Sequence, residues 1–229
     1  NMMAKLISLL VPILVTPYLS RIFGADGNGR LSYIASIVSY FVLLANIGIE
    51  TYGQRIIAVH QNDKGYLKKI TLEIGILRIL LTIFSLALYY VIFVMIYQKN
   101  QVLYALYGIT LLMTAFDFSW FFQGIEDFKY VAIRGMVVKT ISVILLFLLV
   151  KSKEDILWYG AYSVLGVLGG NIFNFVRLRK YLHKDMIEFR ALHPFSHLKP
   201  AIHIFAFNVI VSIYLQLNNV LLGFMKDAE

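Results

Sequence analysis

Apolar residues fall into seven long blocks, near 2–22, 31–54, 70–97, 102–122, 131–150, 156–176 and 201–224, with short polar or basic connectors between them. A helix needs about 20 residues to cross a hydrocarbon core of ~30 Å, and each block is about that long. The pattern predicts transmembrane helices. The third block, between Lys69 and Gln98, exceeds the requirement and predicts a helix that tilts or extends beyond the membrane. Only the connectors 55–69 and 177–200 are long enough to hold structure of their own. The second of these reads as a basic surface helix followed by a link containing Pro194 and histidines.

Inside the blocks, small and polar residues recur at helical spacing. Thr71, Gly75, Arg78, Thr82 and Ser85 share one face of the third block. The second block carries Ser32, Ser36, Ser39, Asn46, Glu50 and Gly53; the fourth carries Thr110, Thr114 and Asp117. The fifth carries Ala132, Gly135, Lys139 and Ser142; the sixth carries Ser163, Gly166, Gly170, Asn174 and Arg177. The first block contributes Lys5, Ser8, Pro12 and Thr16; the last contributes Asn208, Ser212, Gln216 and Asn219. Small and hydroxyl residues let membrane helices pack closely, which accounts for most of these positions. It does not account for charges, which need a partner or a wet cavity at membrane depth. Arg78, Lys139 and, near the chain end, Lys5 are therefore candidate pathway cations, with Asp117, Glu50 and Glu73 as candidate carboxylates. Depth favours the cytoplasmic third: Arg78 lies about 13 Å of helix beyond Lys69, and Lys139 about 8 Å beyond Arg134. Snorkelling to the headgroups is the competing explanation, strongest for Lys139.

Composition agrees. Charged residues make up 15% of the 229 and mean hydropathy is +0.74, against roughly 25% charged in soluble domains. The net charge of +8 sits in connectors, so it reads as membrane orientation rather than nucleic-acid binding. Arg55, Lys64, Lys68, Lys69, Lys129, Arg134, Arg177, Arg179, Lys180, Lys184, Arg190 and Lys199 follow even-numbered blocks; only Arg21, Arg30, Lys99, Lys151 and Lys153 follow odd-numbered ones. By the positive-inside rule the N-terminus is cytoplasmic. The first block lacks a compact core with a small-residue cleavage site and reads as a retained span. The chain opens on Asn1 and stops at Lys226–Glu229 directly after an apolar block, which reads as a truncated fragment.

Zero cysteines exclude disulfides and thiolate metal sites. His183, His193, His197 and His203 read as solvated interface residues; Pro194 opposes a regular helix carrying both His193 and His197. No nucleophile–base pair, metal cluster or phosphate-cradling loop is visible, and no cofactor is expected. The outward connectors Phe23–Arg30, Gln98–Gln101 and Lys151–Asp155 leave little room for an enzyme site.

Three strings carry a resemblance. Thr16-Pro17-Tyr18-Leu19-Ser20-Arg21-Ile22-Phe23-Gly24 ends the first block, and Tyr52-Gly53-Gln54-Arg55-Ile56-Ile57-Ala58 ends the second. Ala115-Phe116-Asp117-Phe118-Ser119-Trp120-Phe121-Phe122-Gln123-Gly124-Ile125-Glu126-Asp127-Phe128-Lys129-Tyr130 ends the fourth. Together they resemble the oligosaccharide flippases of bacterial polysaccharide biosynthesis, in the superfamily that also holds multidrug and toxin extrusion exporters. The resemblance spans essentially the whole chain.

It implies an all-α polytopic membrane helical bundle of about seven transmembrane helices, the first six-helix lobe plus one helix of a two-lobe transporter. The implied units are a first bundle at 1–176, a cytoplasmic basic connector at 177–200 and the first helix of a second bundle at 201–229. The implied activity is translocation, by alternating access, of a polyprenyl-pyrophosphate-linked oligosaccharide (an O-antigen, capsule or exopolysaccharide repeat unit) across the bacterial inner membrane. The implied partners are that lipid-linked oligosaccharide, the bilayer and other membrane proteins of polysaccharide assembly. Arg78 and Lys139 would attract the pyrophosphate, since guanidinium suits bidentate phosphate contact. Asp117 and Glu50 would pair with the cations or take part in ion coupling. Trp120, Phe121 and Phe122 resemble an interfacial aromatic anchor, with Gln123-Gly124 as the turn leaving the membrane. The rivals are an ion-coupled multidrug exporter on the same fold, a membrane enzyme of polysaccharide assembly and a scaffold without transport.

Overall fold

A computed structural model describes residues 2–96, 100–182, 191–206, 209–210, 217, 221 and 225, with side chains from residue 11 onward. The helices are α1 (Met2–Asn46), α2 (Ile49–His60), α3 (Lys64–Tyr89, continued by a π-helical turn Tyr90–Ile96), α4 (Gln101–Met113), α5 (Ser119–Gly124), α6 (Phe128–Leu149) and α7 (Ile156–Leu178). Short 3-10 turns occupy Thr114–Phe116, Lys153–Asp155 and Pro194–His197, and 198–206 is helical. The described residues contain no strand. Five stretches are long and apolar enough to cross a membrane: Val11–His60, Lys64–Ile96, Gln101–Gly124, Phe128–Leu149 and Lys153–Leu178. The first joins two of the sequence blocks, and the seventh block lies mostly outside the described residues; of the connector at 177–200, expected to open with a basic surface helix, 179–182 form turns and 183–190 lie outside the described residues.

Not every helical break coincides with a polar connector. The expected loop Phe23–Arg30 is helical apart from Gly24, at φ 67° and ψ −172°, a region essentially closed to side chains. The second block, expected to be continuous, breaks at Ile47 and Gly48, where Gly48 has φ 73°. The fourth breaks at Asp117 and Phe118. Hydropathy stays high across the last two, so the apolar pattern carried no sign of either.

The helices alternate in direction. Arg30 Nη1 reaches Asn100 Oδ1 at 3.5 Å, the Tyr18 hydroxyl donates to the Val150 carbonyl at 2.5 Å, and Phe23 packs on Tyr159. One end of the bundle therefore gathers Gly24, Asn100 and the 150–159 region. There, Asp155 accepts from the Lys151 and Ser152 backbone N–H groups and from the Ser152 hydroxyl. At the other end Arg177 pairs with Asp127 at 2.5 Å and lies over the Tyr130 ring, binding α7 to the start of α6.

Each end has its own core. At the first, Tyr89, Tyr104, Phe41 and Phe93 pack edge to face or stacked, and the Tyr89 hydroxyl donates to the Tyr104 carbonyl at 2.7 Å. The second is built on Trp120, Phe121 and Phe122, all 0% exposed, with Ile49, Ile57, Ile70 and Ile74. The aromatic triplet is thus core rather than the interfacial anchor its position suggested. It is buried because α2 and α5 meet with almost no space between them. A Cβ on Gly53 would stand 2.6 Å from the Trp120 ring, and one on Gly124 would stand 2.7 Å from Ile57 and 2.9 Å from the Gln54 carbonyl. The second and third strings of the resemblance are the two halves of this interlock.

Candidate functional site

α6 and α7 pack side by side and line an open cavity of about 390 Å³. The polar stripes of the fifth and sixth blocks form its walls. Arg134, Gly135, Lys139 and Ser142 face it from α6; Tyr162, Ser163, Gly166 and Gly170 face it from α7. Small residues make the space. A Cβ added at Gly135 or Gly170 would meet nothing within 4 Å, whereas one at Gly166 would stand 3.3 Å from Ser142 Oγ. So Gly166 sets the approach of the helices, and Gly135 and Gly170 border open volume. The wall carries two cations and three hydroxyls, and none of its side chains is acidic. That chemistry suits an anion with several acceptor oxygens.

Beside the cavity lies the break in the fourth block. As α4 tightens and stops, its last carbonyls lose their i+4 donors and side chains replace them. Arg78 Nε donates to the Thr114 carbonyl at 2.8 Å, and Asn171 Nδ2 donates to the Met113 carbonyl at 2.5 Å. Asp117 then turns the chain by accepting from the Ser119 N–H at 2.9 Å and from the Ser119 hydroxyl. Asn174 Nδ2 donates to Asp117 Oδ1 at 3.2 Å and to Ser119 Oγ at 3.1 Å. Arg134 joins this cluster to the cavity. Its Nη2 donates to Ser119 Oγ at 3.2 Å and its Nη1 to the Gly170 carbonyl at 3.4 Å, while Nε, though buried, has no partner.

The predicted residues are therefore dispersed. Lys139 lines the cavity, half-buried. Arg78 does not line it: the side chain is 3% exposed, held between α3 and the end of α4, with Nη1 buried and unpartnered. The rest of its stripe, Thr71, Thr82 and Ser85, is equally buried, with Ser85 Oγ donating to the Phe41 carbonyl at 2.7 Å. Neither Asp117 nor Glu50 pairs with Arg78 or Lys139; Glu50 accepts from Asn46 Nδ2 at 3.2 Å. The side chain of Lys5 lies outside the described ones.

Glu73 is 4% exposed and accepts from the His193 backbone N–H at 2.8 Å and from His197 Nε2 at 2.9 Å. His197, expected to be solvated, is 6% exposed because this buried carboxylate needs donors. Sequence reasoning also missed Arg134, counted there as a connector charge. A partial signal was available, since Arg134 lies one turn before Val138, at the edge of the stripe that carries Gly135 and Lys139.

Along residues 1–229 the chain matches the family described as polysaccharide biosynthesis protein. It is similar to two curated proteins named "Putative O-antigen transporter". The one from Shigella dysenteriae is 30% identical over 216 residues, 94% of this chain and 54% of that protein. The one from Escherichia coli (strain K12) is 23% identical over 222 residues, 95% of this chain and 53% of that protein. The chain thus spans about half the length of the curated relatives it matches. No solved structure gives a significant match. With its apolar helices and a family match over its whole length, the chain belongs to the polysaccharide biosynthesis protein family as a multi-pass membrane protein.

Proposed function

We propose that the chain forms the first lobe of a transporter that carries a polyprenyl-pyrophosphate-linked oligosaccharide across the bacterial inner membrane, and that the cavity between α6 and α7 receives the pyrophosphate. The observation that carries this reading is the cavity wall: Arg134 and Lys139 beside three hydroxyls, with no acidic side chain. A fixed cation in a membrane protein is costly unless it faces water or a counter-charge, and a diphosphate supplies two charges and several acceptors at once. The names of the two relatives support the same substrate class. The work is transport rather than catalysis. The N-terminus is cytoplasmic, on the distribution of lysines and arginines. The lobe occupies 1–176, followed by a cytoplasmic connector at 177–200 and the first helix of a second lobe from 201.

Arg134 gives the site a means of signalling occupancy. It touches both the cavity and Ser119 at the break in the fourth span. An anion that draws its guanidinium into the cavity would leave Ser119 and Asp117 held by Asn174 alone, loosening the break. The test is binding of a polyprenyl pyrophosphate to the chain in nanodiscs, in competition with a neutral polyprenol and with a cationic dye. Competition by neither supports the pyrophosphate reading. Binding of the dye in its place would favour a multidrug exporter.

A further inference from the structure

A second buried polar cluster lies away from the cavity, where α2, α3 and the segment leading into the helix at 198–206 meet. Glu73 spends both oxygens on that segment: Oε1 accepts from the His193 N–H at 2.8 Å and Oε2 from His197 Nε2 at 2.9 Å. With Nε2 donating, His197 Nδ1 is left to accept from the Tyr52 hydroxyl, 2.8 Å away on α2. Glu73's nearest charge on its own helix is Lys69, at 4.0 Å. A few residues on, the helix at 198–206 lies against the break in the second span. A Cβ on Gly48 would stand 2.4 Å from the Ala201 carbonyl and 3.0 Å from the Phe205 amide, and Ala201 is fully buried. The second span is broken at a glycine where another helix backbone crosses it.

We propose that Glu73 clamps the start of the helix at 198–206 to α2 and α3, so that this junction is the fixed pivot between the first bundle and that helix during transport. The pivot rests on the two-lobe reading above, but the clamp does not. Separating the segment from α3 would strand a buried carboxylate with Lys69 as its remaining partner, a costly state. The same separation would open the Gly48–Ala201 contact. Both penalties oppose opening, so the junction stays closed.

The chain has no cysteine, which permits spin labels at chosen sites. The measurement is the label-to-label distance distribution for Lys64→Cys with Lys199→Cys, both exposed, in the chain reconstituted in nanodiscs. A control pair, Lys64→Cys with Lys129→Cys, reports on the bundle itself. The expected result is one narrow population for the junction pair, unmoved by added polyprenyl pyrophosphate. Glu73→Gln or His197→Phe should replace it by a broad or longer-distance population, with the control pair unchanged. An unaltered junction pair in both variants would overturn the clamp. A control pair that broadens along with it would reduce the cluster to general core packing and reject the proposal. A junction distance that shifts when the pyrophosphate binds would reject the pivot. Absence of pyrophosphate binding, monitored in the same samples, would count against the transport reading and leave the clamp to be decided by the variants.

Discussion

Arg78 shows how a charge in an apolar run can serve architecture. A buried guanidinium is tolerable here because the end of α4 presents a carbonyl and the negative end of the helix dipole to it. Charge-assisted hydrogen bonds contribute about 1.5–3 kcal/mol, so Arg78→Gln should lower unfolding stability by roughly 2 kcal/mol, measured by thermal or denaturant unfolding in a fixed detergent. The same burial predicts cysteine accessibility. Thr82→Cys and Ser85→Cys should resist a membrane-impermeant thiol reagent, whereas Gly135→Cys and Ser163→Cys, on the cavity wall, should react. Equal reaction at all four would remove the distinction between packed seam and open cavity. In sequence these stripes look alike, each a ladder of small and polar residues. What separates them is the neighbour each faces, and one sequence does not contain that. The stripes of the fifth and sixth blocks face each other across glycines, while the stripe of the third faces helices that fill the space.

At the scale of elements, the α2–α5 interlock carries the greatest packing demand. Gly53→Ala and Gly124→Ala each force a methyl to within 3 Å of a ring or a backbone carbonyl. Overpacking of this kind costs about 1–3 kcal/mol, and both variants should show that loss in unfolding. Trp120→Ala removes a fully buried side chain and should cost about 3–5 kcal/mol. If the triplet were an interfacial anchor instead, Trp120→Ala would change membrane partitioning and spare stability. Helix existence was largely legible from the length of the apolar blocks, and so was the placement of Gly135 and Lys139 on one stripe and of Gly166 and Gly170 on another. The breaks were not. Gly24, Gly48 and Asp117 interrupt helices inside or beside apolar runs, and two of these breaks are held by contacts distant in sequence: the helix at 198–206 for Gly48, Arg78 and Asn174 for the turn at Asp117. His197 was misread for the same reason, since its partner Glu73 lies 124 residues away.

For the whole molecule, the cavity is the feature on which function turns. Filling it without touching the charges is the cleanest perturbation. Gly170→Leu places a side chain in open volume, so it should leave unfolding stability near that of the parent while abolishing binding of a polyprenyl pyrophosphate. Transport by the complete protein in cells should fall with it. The most direct test of the central claim is the affinity of the nanodisc-embedded chain for a polyprenyl pyrophosphate, compared at equal folded protein across Arg134→Gln, Lys139→Gln, their double variant and Arg78→Gln. The account predicts a loss of about tenfold or more for each cavity variant, given about 1.5–3 kcal/mol per charge-assisted contact. It predicts a larger loss for the double variant, and affinity within a few-fold of the parent for Arg78→Gln. Undiminished binding in the double variant, or binding lost with Arg78→Gln alone, would contradict it.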